Sequence, residues 1–151
     1  MKNNNYLKLL AIVLLFASTT IAQNITIGSG TVISVGAGTS ISTPGTITMD
    51  AGSTIDNNGI IQLSGDWINN GNAFPANDTG TVDFAGTAAQ AVGGIADTKF
   101  KNLKVSNTSA AGVTQIIDTK VTGSLSVGVL YSINNSILTL ETGDEVFNVT
   151  T

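Results

Sequence analysis

The chain contains no cysteine, no histidine and no arginine, and aromatic residues make up only 5% of its 151 residues. Without cysteine or histidine there can be no disulfide framework, no Cys/His zinc site and no haem ligation. Ser-His-Asp and Cys-His nucleophile systems and thiol redox chemistry are excluded on the same ground. Charge is scarce too, at 11%, under half of the roughly 25% usual in globular domains. The six basic residues are all lysine, and residues 23–98 contain none of them. A net charge of −4 and a pI near 4.3 give no basic surface for nucleic acid. Glycine, by contrast, occurs 17 times, and 42% of the residues are hydrophobic. The length suits one domain and is short for two well-packed ones.

The first residues read as an address. Lys2 and Lys8 flank a polar start, Leu9–Phe16 is unbroken apolar sequence, and Ala17–Ala22 ends in small residues. Thr20 and Ala22 occupy the −3 and −1 positions of a cut before Gln23. This order predicts a secretory signal peptide over 1–22 and a secreted or outer-surface location. The apolar run is well short of the roughly 20 residues that cross a bilayer, so no membrane span is expected after cleavage. No cysteine follows the cut, which leaves no lipoprotein anchor. An exported chain without cysteine must be held by packing and backbone hydrogen bonds.

From Gln23 one device recurs. Units begin at Gly30, Gly38, Gly45, Gly52, Gly59 and Gly65, each a glycine, usually a hydroxyl residue, then a short β-branched strand. Glycine suits positive-φ turns, and Thr, Val and Ile suit a pleated, half-buried surface. Ile25, Ile27, Ile33, Val35, Ile41, Ile47, Met49, Ile55, Ile61 and Leu63 point one way if alternation runs through the turns. Thr26, Ser34, Thr48, Asp56 and Gln62 oppose them. No helical stripe of useful length follows residue 23, so helix is expected to be nearly absent.

Units of six to eight residues are too closely spaced for sandwich strands, which recur every 8–12. They predict an all-β, single-stranded parallel β-helix (a β-solenoid) over 23–151, with three short strands per coil. Coils of about 20 residues give roughly six coils and a rod of about 30 Å. The turns are rich in asparagine: Asn57-Asn58, Asn69-Asn70 and Asn134-Asn135. Asparagine there suits either ordinary turn chemistry or stacked side-chain ladders. The rhythm breaks over 72–79, around Pro75, which predicts a loop bulging from the coil. It resumes at Gly80–Gly86, followed by a small-residue stretch to Ile95. Further strands are expected at 100–105, 113–117, 121–127, 129–133 and 137–140, with Lys99, Lys101 and Lys104 outward.

The succession Gly80–Gly86, Gln90–Val92, Phe100–Asn107, Gly123–Val127 and Gly128–Leu140 resembles the repeat region of adhesin-like surface proteins from Bacteroidetes-type bacteria. The resemblance implies a right-handed parallel β-helix and a surface role, and it carries no catalytic residue. Such proteins run to many hundreds of residues and end in a sorting domain. The chain is therefore expected to be an N-terminal fragment of a longer protein.

Candidate chemistry is thin. Asp50, Asp56 and Asp66 lie on successive units, and stacking could bring two together as paired carboxylates for glycoside hydrolysis. No basic partner lies in residues 23–98, so an enzyme is not expected. Asp56-Asn57-Asn58 and Gly143-Asp144-Glu145 are fragments of a calcium site, more simply read as solvated turns. Thr46-Ile47-Thr48 resembles the Thr-x-Thr ladders of ice-binding solenoids but occurs once. The hexad spacing resembles hexapeptide-repeat acyltransferases, whose histidine base is missing. Trp67 with Phe74 could stack on sugars, although a lone Trp among alternating apolar residues belongs more naturally to the core. Catalytic, cofactor and metal residues are expected to be none. Two functions follow: an adhesive structural module, or a secreted carbohydrate-binding or polysaccharide-degrading β-helix. The expected partners are extracellular glycans or neighbouring and host cell surfaces.

Overall fold

The computed structural model describes residues 22–71, 78–141 and 148–149, the last two by backbone only. Alternating three- and four-residue segments cannot cover a core as long strands, so the chain turns after each and lays the next turn on top. β1 (Ile25–Ile27), β2 (Val32–Val35) and β3 (Ser40–Thr43) form the first coil. β4 (Ile47–Met49), β5 (Thr54–Asn57) and β6 (Ile60–Leu63) form the second. β7 (Trp67–Asn69) and β8 (Thr81–Phe84) belong to the third, and β9 (Gln90–Gly94), β10 (Thr98–Phe100) and β11 (Asn102–Val105) to the fourth. β12 (Val113–Gln115), β13 (Thr119–Val121) and β14 (Leu125–Val127) come next, then β15 (Tyr131–Ile133), β16 (Leu138–Leu140) and β17 (Asn148–Val149).

Three faces result. The first is the six-stranded sheet β1-β4-β7-β9-β12-β15, and the third is β3-β6-β8-β11-β14-β17. The second carries β2-β5 and, further along, β10-β13-β16. Every pairing is parallel. The protein is an all-β solenoid of about five turns, with no helix among the described residues.

In-register stacking lets like side chains share a row. Ile41, Ile61, Val82, Leu103 and Leu125 form one inward row of the third face. Thr43, Leu63, Phe84, Val105 and Val127 form the row beside it. Seven of the ten inward residues expected in the first half are fully buried; Ile25, Ile33 and Ile41, all in the first coil, are only half so. Trp67, fully buried, meets Phe100 edge-on at 5.3 Å, and Phe84 meets Phe100 at 6.3 Å. Such pairs add about 0.5–1.5 kcal/mol beyond area burial.

The unit glycines divide into two kinds. Gly30 and Gly52 hold φ of 75° and 78°, the turn role expected of the whole set. Gly45 and Gly59 do not; a Cβ there would strike the backbone of Gln23 and of Thr39 in the preceding coil. Close stacking at the corners, rather than turn conformation, selects glycine at these positions.

Two strand boundaries need correction. The expected 100–105 strand breaks at Lys101, so β10 and β11 lie on different faces. The 121–127 strand breaks likewise at 122–124. Alternation alone does not reveal a corner, because inward residues resume on the next face. Phe100, Leu103 and Val105 are buried around that corner, Lys104 is exposed, and Lys99 and Lys101 are half-buried. Most of the expected loop, 72–77, lies outside the described residues.

Candidate functional site

Polar side chains at the strand starts bind one coil to the next. On the first face, Asn24 Oδ1 accepts the Thr46 N–H at 2.9 Å, and Thr46 Oγ1 accepts the Asp66 N–H at 3.1 Å. Asp66 Oδ1 in turn accepts the Ala91 N–H at 2.7 Å. Each side chain thus caps a donor of the following coil where the ladder begins. Asn102 Oδ1 does the same for Ser124 and Asp118 Oδ1 for Ile137.

Buried amides perform the matching task inside the corners. Asn57 accepts the Gly59 N–H and donates to Thr81 O; Asn69 accepts the Gly71 N–H and donates to Asp97 O. Asn107 accepts the Ser109 N–H and donates to Ala88 O and Gln90 Oε1. Asn57 and Asn69 therefore do more than turn their own chain: each also donates to the backbone of the next coil. A signal lay in the recurring Asn-x-Gly and Thr-x-Gly at strand ends. Tyr131 Oη donates to Gln115 Oε1 at 2.9 Å, and burial pushes its pKa above the ordinary phenol value.

Asp50, Asp56 and Asp66 are not brought together. Asp56 faces outward on the second face, Asp66 caps the first face, and Asp50 sits at the corner between them. Two other carboxylates matter more. Asp83 is buried on the outer side of β8, held by Lys104 Nζ at 3.0 Å and Ser106 Oγ at 2.6 Å. Its partners come from the next coil, so sequence order could not reveal them. Asp78 lies beside Asp56, and partial burial pushes its pKa up to about 6. The Asn57 N–H, donated to Asp78 Oδ1, pulls the other way, while Asp56 adds to the rise.

Lys99 and Lys120 stand side by side in β10 and β13, each in an Asp-Thr-Lys segment: Asp97–Lys99 and Asp118–Lys120. Lys120 is ion-paired with Glu141. Beside these segments runs a cleft of about 240 Å³, reaching Ile137 and Thr139. A second cleft of about 300 Å³ lies at the corner between the second and third faces, lined by Thr39, Ser40, Asn58, Ile60, Thr79 and Thr81. Its groups are hydroxyls, one amide and one aliphatic side chain.

Among the described residues no group of three or more carboxylates could hold a metal, and Asp144 and Glu145 lie outside them. Thr48 continues into Ile68 and then Gly93 along its row, so no threonine ladder forms. Trp67, wholly inside, offers no sugar-stacking surface; Phe74 lies outside the described residues. No helix among the described residues is long and apolar enough to cross a membrane. No protein-family model, curated protein or solved structure matches the chain.

Proposed function

We propose that the chain is exported by its first 22 residues and works at the cell surface as a structural, adhesive rod without chemistry of its own. The observation that carries this reading is the use of the capping side chains at the strand starts. Asn24, Thr46, Asp66, Asn102 and Asp118 are committed to the backbone of the next coil, which favours stiffness over a reactive centre. A rod so stitched resists proteases and holds whatever it carries away from the membrane. The leader order, Lys2, Leu9–Phe16, then Thr20 and Ala22, supports export. Expression in a Gram-negative host, followed by N-terminal sequencing of the exported protein, tests it. A start at Gln23 and surface labelling of intact cells are expected; protein retained in the cytoplasm with Met1 in place would overturn it.

The corner cleft of Thr39, Ser40, Asn58, Thr79 and Thr81 favours a second reading, binding of uncharged extracellular glycan. Its hydroxyl and amide groups match sugar hydroxyls in kind. Glycan-array binding by residues 23–151, lost in Ser40→Leu/Thr81→Leu, would support this reading over the first.

A further inference from the structure

Asp97-Thr98-Lys99 and Asp118-Thr119-Lys120 set the same three residues on consecutive coils, and neither reading above uses them. Alternation turns the two threonines inward, where both are buried, and the aspartates and lysines outward. The stacking continues into β16. Lys120 is the register partner of Thr139, and Asp97, Asp118 and Ile137 follow one another just before the three strands. The second face therefore carries two outward columns, Asp97-Asp118-Ile137 and Lys99-Lys120-Thr139. They lie about 7 Å apart along the strands and step about 4.8 Å per coil. Both columns line the cleft of about 240 Å³.

The columns carry opposite charge, yet no ion pair joins them. Among the described residues the ion pairs are Lys104 with Asp83 and Lys120 with Glu141, neither of them across the cleft. Within each column like charges stand one coil apart, an unfavourable arrangement when left alone. Glu141 on Lys120 and Asp78 near Lys99 offset part of this on the basic side. An ammonium has three donors, so both lysines keep hydrogen-bonding capacity toward the cleft. On the acidic side Asp97 and Asp118 are exposed. Asp118 Oδ1 accepts the Ile137 N–H, which leaves its second oxygen for the cleft.

We infer that this cleft binds a small zwitterion, an ammonium and a carboxylate on one unit the size of an amino acid. The ammonium lies between Asp97 and Asp118, and the carboxylate between Lys99 and Lys120. A purely anionic ligand is repelled by the acidic column and a purely cationic one by the basic column. Only a molecule bearing both signs gains from both. The volume falls below the roughly 300–1,000 Å³ of sites for drug-sized ligands, which sets the size. Ile137, 63% exposed, closes the acidic column with an apolar contact for the carbon skeleton. Amino acids and short peptides carry this chemistry, and so do amino sugar acids.

The test titrates the purified, isotope-labelled chain at low ionic strength with glycylglycine and, separately, with 2-amino-2-deoxyglucuronic acid, following amide NMR shifts. Saturable shifts centred on 97–99 and 118–120 are expected. Binding of glycylglycine alone marks a peptide ligand, of the sugar acid alone a glycan, and of both a site that reads only the two charges; each supports the inference. N-acetylglycylglycine lacks the ammonium and glycylglycine amide lacks the carboxylate, and each is expected to bind about tenfold more weakly. Lys99→Met/Lys120→Met and Asp97→Asn/Asp118→Asn are both expected to abolish the shifts. The asparagine pair keeps an acceptor for the Ile137 N–H and covers any folding defect of the methionines. No saturable shift with either zwitterion overturns the inference. So does equal binding of the blocked peptides, or undiminished binding in a variant whose spectrum is otherwise native.

Discussion

Lys104 and Asp83 are register partners on adjacent strands of the third face, with Lys104 Nζ 3.0 Å from Asp83 Oδ2. The pair is lopsided: the aspartate side chain is 5% exposed and the lysine 51%. A surface ion pair contributes about 0–1 kcal/mol, but stripping the partner from a buried carboxylate leaves a desolvated charge. Lys104→Met should therefore cost about 1–3 kcal/mol in urea unfolding. Adding Asp83→Asn to Lys104→Met should recover part of that loss. A double mutant whose loss equals the sum of the two single losses would show that the residues are not coupled.

Ile61 sits in the middle of an inward row, 1% exposed, between Ile41 and Val82. Ile61→Val should cost about 0.5–1.5 kcal/mol. Ile61→Asp, or Ile55→Asp on the second face, buries an unpaired charge and should abolish the fold. Retention of the β circular dichroism signal at room temperature in either aspartate variant would contradict the core assignment.

Thr98 is 1% exposed, and its hydroxyl has no hydrogen-bond partner. A buried polar group left unsatisfied costs about 1–3 kcal/mol. Thr98→Val keeps the shape and β-branching and removes the penalty, so a rise in Tm is expected. A fall would mean that the hydroxyl is satisfied in solution.

Asp78 predicts a pH dependence of definite sign. Its folded-state pKa of about 6 stands above the ordinary 3.8, so the folded chain binds this proton more tightly than the unfolded one. Its contribution to stability is present in full below pH 3.8 and is lost as the pH rises to about 6. Asp78 is only partly buried, so solvent screening keeps the effect small. Urea midpoints of wild type and Asp78→Asn, taken from pH 4 to 7, should diverge along that slope. Parallel curves would refute the shift.

Much of the architecture was legible in residue order. Glycine punctuation every six to eight residues, with alternating isoleucine and threonine between, allows no helix and leaves strands too short for a sandwich. The parallel solenoid followed, with Ile27, Ile47, Ile55 and Ile61 inside and Thr26 and Ser34 outside. The corners at Lys101 and at 122–124 were not legible, because the inward pattern continues across a change of face.

The pattern along the chain, an alternation interrupted by glycine, by itself determined that the protein would coil and which side of each strand would be inside. That much depends only on local backbone preference and on hiding apolar groups from water. Only the tertiary structure decided which residues become neighbours one turn apart: Asp83 with Lys104, Asp56 with Asp78, Asn57 with Thr81. Turn length varies along the rod, so those pairings follow from how each coil comes to rest on the last.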